Sequence, residues 1–262
     1  MSPSRNPHQG RAMLTMLVAV AMFAMMDAGL KQLSTHYPPF QVASLRGAAS
    51  LPLVLVWALA TGGLAPLLRV RWSLHLLRGV LGVAMMATFV FAVSKLPLST
   101  TYSIFFVAPL LITALSVPVL GEKVGPRRWA AIVVGLIGVI VLLRPTGEGM
   151  ASLAALAVLV AAVMYAISAI TVRILARTDS TQSMMVWLMV MIAVGAGALA
   201  WPDWVAIRRE DLWLIAAIGV AGALGQYAIT EAFRMGEASA IAPLEYTALV
   251  WGVLFDLTFW GV

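Results

Sequence analysis

The chain has 262 residues, of which 62% are hydrophobic and 11% charged, with a net charge of +6, a mean hydropathy of +0.97 and no cysteine. A soluble domain carries about 25% charged residues, so most of this chain belongs in lipid. The missing cysteines exclude disulfides, thiolate metal sites and a cysteine nucleophile, and basic residues standing singly or in pairs between apolar runs exclude a nucleic-acid surface.

A hydrocarbon core of about 30 Å takes about twenty apolar residues of helix. On that ruler, segments fall at 12–33, 40–60, 73–93, 98–119, 127–143, 151–174, 183–200, 212–233 and 238–260. The ten-residue alternation of a membrane barrel is absent, so the expected class is all-α and polytopic, with nine transmembrane helices. The first ten residues are polar, and the run after Arg11 is too long for a cleaved signal sequence, which leaves 1–11 as a tail before a retained helix. The breaks carry turn chemistry: HYPPF at 36–40, TGGLAP at 61–66, KLP at 95–97, GEKVGPRR at 121–128, RPTGEG at 144–149 and WPDW at 201–204.

Lysine and arginine set the orientation. With the N-terminus in the cytoplasm, inner segments hold Arg5, Arg11, Arg69, Arg71, Lys123, Arg127, Arg128, Arg173, Arg177 and Arg234. Outer segments hold Lys31, Lys95, Arg144, Arg208 and Arg209. The excess inside favours a cytoplasmic N-terminus.

A shift of 140 residues lays GVAG (219–222) on GVLG (79–82), Ala232 on Ala92, Ser239 on Ser99, Ala248 on Ala108 and Gly261 on Gly121. The same shift superposes the segment breaks. A period holding five helices reverses the direction of the second copy, giving two inverted halves, 12–145 and 146–262, the second with four helices. The shift also predicts a tenth helix at about 267–283, beyond Val262, and the expectation is a sequence cut short of it.

The polar residues inside the apolar segments are the candidate site. Glu245 lies in the first third of the last segment, where a carboxylate costs about 2.5–3.5 kcal/mol to insert. Glu245, Leu249, Gly252 and Asp256 follow one another along one helical face of roughly 16 Å. That face suits a proton-titrating or cation-binding wall; the plainer readings are a solvated Asp256 and a Glu245 paired with a hydroxyl for packing. Tyr246 and Trp251 could stack a planar substrate or simply fill space. Asp27 and Lys31, four apart on the first helix, either neutralise each other or form an external gate. Arg46, about 9 Å below the start of the second helix, could complement Asp27 or an anionic substrate. Gln226 and Tyr227 are cavity candidates on the eighth segment, whereas Glu231 with Arg234 reads as an interfacial salt bridge. Tyr102, Phe106 and Pro109 share a face of the fourth segment, and Tyr165 and Ser168 one of the sixth. Glu122 reads as a solvated loop residue, and Gly135 and Gly138 as packing positions. His8, His36 and His75 form no metal spacing, and no phosphate loop or nucleophile triad is present, so no cofactor and no ATP motor are expected.

Two stretches resemble a known family. LPLSTTYSIFFVAPLLITALSVPVLGEKVGPRRWAAIVVGLIGVIVLLRP (96–145) and its echo APLEYTALVWGVLF (242–255) look like the ends of the two five-helix repeats of EamA-type permeases, in the drug/metabolite transporter superfamily. Val262 departs from that pattern, standing where the counterpart of Glu122 would be. The resemblance implies a secondary transporter of a small organic metabolite in the inner membrane, working by alternating access as a proton-coupled carrier or exchanger. It implies an amino acid, a riboflavin-like or a nucleoside-like substrate, a monomer or homodimer, and a midplane cavity lined by segments 1, 3, 4, 6, 8 and 9. Outside that family, the alternatives are a membrane-embedded lipid-modifying enzyme or a non-catalytic membrane subunit.

Overall fold

The computed structural model describes residues 7–126, 129–130, 133–134, 137 and 153–261. Among them, eight helices are long and apolar enough to cross a bilayer: α1 (Pro7–Leu33), α2 (Pro39–Gly62), α3 (Trp72–Val93), α4 (Leu98–Leu120), α5 (Leu153–Leu175), α6 (Thr181–Asp203), α7 (Arg209–Met235) and α8 (Ala238–Trp260). The fold is an all-α membrane bundle. The expected segment at 127–143, with Gly135 and Gly138, falls largely outside the described residues. A one-turn helix at Ala65–Leu68 stands where only a turn was expected.

The boundaries follow local chemistry. Proline opens α2 at Pro39 and precedes α4 at Pro97, where the missing N–H and fixed φ suit a first turn. Ser180 caps α6, its hydroxyl accepting from the Ser183 N–H at 3.1 Å. Gly121 and Gly261, one period apart, close α4 and α8 in the left-handed region at φ 71° and 65°.

The irregularities recur at that period too. α4 breaks at Phe106, and Pro109 leaves the Phe105 carbonyl without its helical N–H. The corresponding part of α8, Ala242–Thr247, winds as a 3₁₀-helix around Pro243. The rings of Phe106 and Tyr246, themselves 140 residues apart, meet edge to face at 4.8 Å. The packing follows suit: α1 lies along α7 as α5 lies along α3, α2 meets α7 as α6 meets α3, and α4 crosses α8.

Contacts at the helix ends define two faces of the bundle. On one, Asp256 near the end of α8 accepts from the N–H groups of Leu98 and Ser99 at the start of α4, at 3.1 and 2.8 Å, and from the Ser99 hydroxyl at 2.6 Å. Lys31 closes this face, donating to the Leu96 carbonyl at 2.9 Å, lying 3.8 Å from Asp256 and covering the Trp260 ring. On the other, Glu122 just after α4 accepts from the N–H groups of Ala238 and Ser239 at the start of α8, both at 3.1 Å. α4 and α8 are therefore antiparallel, each capped at its N-terminus by a carboxylate from the far end of the other. Glu122 is accordingly a half-buried cap and not the solvated loop residue expected.

A second pair of clasps joins loops to helix starts. Tyr37, between α1 and α2, donates to Asp211 at the start of α7 at 2.6 Å. Asp179, between α5 and α6, takes the Arg71 N–H at 3.1 Å and the His75 ring at 2.9 Å at the start of α3. Burial favours the neutral form of all three loop groups, and for Tyr37 it raises the phenol, with the Asp211 bond adding to it. For Glu122 and Asp179 the hydrogen bonds outweigh burial and hold each carboxyl below its ordinary value.

Candidate functional site

A cavity of about 160 Å³ lies at the centre of the bundle and touches all eight described spanning helices. Its wall is mainly apolar and aromatic, with Phe23, Met85, Phe89, Phe105 and Phe106 among the side chains that face it. Into this wall the helices bring two carboxylates, Asp27 and Glu245, and two guanidiniums, Arg46 and Arg78.

Each carboxylate is held by a tyrosine on a neighbouring helix. The Tyr102 hydroxyl of α4 donates to Asp27 Oδ2 of α1 at 2.8 Å, and the Tyr165 hydroxyl of α5 donates to Glu245 Oε1 of α8 at 2.9 Å. The two pairs occupy opposite halves of the bundle. Asp27 and Tyr102 lie near the ends of α1 and α4 on the Lys31 face, while Glu245 follows the start of α8 on the Glu122 face. The 3₁₀ winding of Ala242–Thr247 carries Glu245 inward, and such broken helices are a common way to build a polar site at membrane depth. Gly252 lets α8 approach Tyr102: a Cβ there would meet the tyrosine ring at 2.7 Å.

The arginines are bound differently. Arg78 donates through Nη1 to the Met184 carbonyl at 2.7 Å. Arg46 donates through Nε only to the thioether of Met26 at 3.2 Å, and its Nη1 is buried with no acceptor. Gln226 donates to Thr230 at 3.2 Å across one turn of α7.

The residues nominated from sequence thus divide. Glu245, Tyr102, Tyr165, Gln226, Asp27 and Arg46 line the cavity together. Tyr246 meets Phe106 edge to face beside it, and Trp251 packs 6.1 Å from Phe255. Tyr227 is 42% exposed and packs edge to face on Trp57, because it sits one residue, about 100° of helix, away from Gln226. Asp27 and Lys31 do not pair with each other: Asp27 takes Tyr102, and Lys31 takes Asp256. Asp256 is 2% exposed and caps α4 rather than meeting solvent. Glu231 does lie 4.0 Å from Arg234, and both contact Thr181. Arg78 was overlooked, although a cation inside an apolar segment carries the same signal as Glu245. The cavity also reaches α2 and α6, through Arg46, Leu188 and Ile192. No cluster able to hold a metal occurs among the described residues.

The sequence pattern of the EamA-like transporter family matches residues 10–144 and 152–262. A riboflavin transporter of Vibrio cholerae is 32% identical, over 97% of this chain and 86% of the relative. The pseudopaline exporter CntI of Pseudomonas aeruginosa is 25% identical over 95% and 87%. An S-adenosylmethionine uptake transporter of Rickettsia bellii is 30% identical over 86% and 76%. A crystal structure with 19% sequence identity superposes on 95% of this chain and 88% of its own at a TM-score of 0.75, a likeness of fold alone.

Proposed function

Since this chain belongs to the EamA-like transporter family, we propose that it moves its substrate by alternating access of two inverted halves, 12–145 and 146–262, around the central cavity. Membership makes it a membrane transporter of a small metabolite and not an enzyme. The observation that carries the mechanism is the pair of tyrosine–carboxylate bonds on opposite sides of one cavity. Asp27–Tyr102 joins α1 to α4 on the Lys31 face; Glu245–Tyr165 joins α8 to α5 toward the other. Each is the group that opens when its side opens. Antiparallel α4 and α8 and the recurrence of helix breaks after 140 residues support the inverted halves.

The positive-inside bias supports a cytoplasmic N-terminus, with the Glu122 face inside and the Lys31 face outside the bacterial inner membrane. Glu245 is the titrating or substrate-ammonium-binding group, and the phenylalanines supply the apolar walls. A flat or partly apolar metabolite fits that lining, in keeping with relatives named for riboflavin and S-adenosylmethionine.

The test is uptake and counterflow in proteoliposomes, with riboflavin, S-adenosylmethionine and amino acids, with and without a pH gradient. Saturable wild-type transport that Glu245→Gln abolishes or uncouples from pH is the expected result. Transport indifferent to Glu245→Gln keeps the family function and sinks the site assignment.

A further inference from the structure

Of the charged groups in the cavity, one has no oxygen as a hydrogen-bond partner. Glu245 and Asp27 each accept from a tyrosine, and Arg78 donates to a carbonyl. Arg46 is 2% exposed, offers five N–H donors, and meets only the sulfur of Met26, a weak acceptor. Its Nη1 has no acceptor, as the Nε of Arg78 and of Arg173 has none, but unlike them it has no bond to oxygen elsewhere on the guanidinium. The Asp27 carboxylate on the same wall attracts it without coming within ion-pair distance. Guanidiniums that serve structure here are bound by oxygen: Arg173 donates to the Phe233 carbonyl at 3.1 Å and lies 3.4 Å from Glu122. A buried cation with no oxygen partner is expensive to keep and is retained where something else binds it. Gly222 of the facing helix α7 makes room for the neighbours of Arg46: a Cβ there would sit 3.0 Å from Ser50 Oγ and 3.1 Å from the Met26 sulfur.

We infer that Arg46 is the substrate-selecting residue of the cavity, and that its guanidinium takes a planar oxygen-acceptor edge of the transported molecule. This inference rests on the transport reading above and adds the chemistry of the ligand. A carboxylate and the imide edge of a flavin-type ring both present such acceptors, and the flat fork of arginine matches them where lysine does not. Asp27, within the same wall, leaves a place for a donor on the same substrate. The molecule selected is thus one carrying acceptor and donor groups together on a largely apolar body.

Two measurements on the purified full chain test this. In thermal melting in detergent, Arg46→Met should melt close to the wild type, because no hydrogen bond to oxygen is lost and Asp27 keeps its Tyr102 bond, while Arg173→Met should melt lower. In proteoliposomes, Arg46→Lys should raise KM for an acceptor-bearing substrate about tenfold or more, the scale of a charge-assisted hydrogen bond, with little change in maximal rate. S-adenosylmethionine set against its decarboxylated form reports the carboxylate: only the former should lose affinity in Arg46→Lys. Riboflavin reports the imide. Arg46→Met melting well below the wild type, as a structural cation would, overturns the inference with or without a transported compound. An unchanged KM in Arg46→Lys overturns it while leaving the transporter intact. A wild type that moves none of the panel counts against the transport reading instead, and the melting comparison still decides Arg46.

Discussion

Replacing Asp256 by alanine unfastens α4 from α8. The carboxylate receives two backbone N–H groups and one hydroxyl, at 3.1, 2.8 and 2.6 Å, and faces Lys31 at 3.8 Å. A helix N-cap is worth about 0.5–2 kcal/mol, and hydrogen bonds to charged groups about 1.5–3 kcal/mol each. Some of the freed donors reach water at the end of the bundle, and Lys31 can turn outward, so the net loss is about 3 kcal/mol rather than the full sum. For a chain of this size that lowers the melting temperature by roughly 6–12 °C. Asp256→Asn keeps one acceptor oxygen and should lose about half as much. Thermal unfolding in detergent, followed by tryptophan fluorescence, gives the comparison. Transport should fall with it, because Tyr102 lies one turn beyond the capped residues Leu98 and Ser99 and loses its fixed position against Asp27. A melting temperature for Asp256→Ala within about 1 °C of the wild type would refute the cap as a source of stability.

Gly252→Ala should drive α8 against the Tyr102 ring, costing about 1–3 kcal/mol and most of the transport rate; melting and initial uptake rates check both. Tyr102→Phe and Tyr165→Phe each leave a buried carboxylate without its donor, at a cost of about 1–3 kcal/mol, and should slow counterflow; full exchange activity in both variants would remove the tyrosine–carboxylate pairs from the mechanism. The Asp179 carboxyl is held below its ordinary value, so its stabilisation is complete above the unfolded value of about 4 and is lost as pH falls through the lower folded value. The melting-temperature difference between wild type and Asp179→Asn should therefore shrink below about pH 4, where the carboxyl takes up its proton; a difference that persists undiminished at about pH 2 contradicts the assignment.

The spans were legible because the thickness of the bilayer is a fixed ruler and proline and glycine punctuate the chain at Pro39, Pro97, Gly121 and Gly261. Glu245 was legible because a carboxylate in an apolar run is costly. Its partner Tyr165 could be nominated only as one polar residue among others, since a pairing between α5 and α8 leaves no local pattern. Asp256 shows the limit most sharply. Its acceptor role depends on backbone N–H groups of α4, which every residue but proline possesses, so nothing in the sequence singles out Leu98 and Ser99. Helical spacing puts Lys31 within reach of Asp27, but a long flexible side chain at a helix end is free to take the Leu96 carbonyl and Asp256 instead. Tyr227 failed on angle: one residue separates a wall of the cavity from the outer surface.

The crossed carboxylate caps bear on how such a protein is made. As the chain leaves the ribosome, α4 enters the membrane long before Asp256 has been synthesised, so the N–H groups of Leu98 and Ser99 must wait, served by water or lipid headgroups, until α8 arrives. Glu122, by contrast, is already in place when Ala238 and Ser239 emerge. The first half is thus finished by the last, and translation halted before α8 leaves an inserted fragment with an exposed helix end for quality-control proteases to recognise.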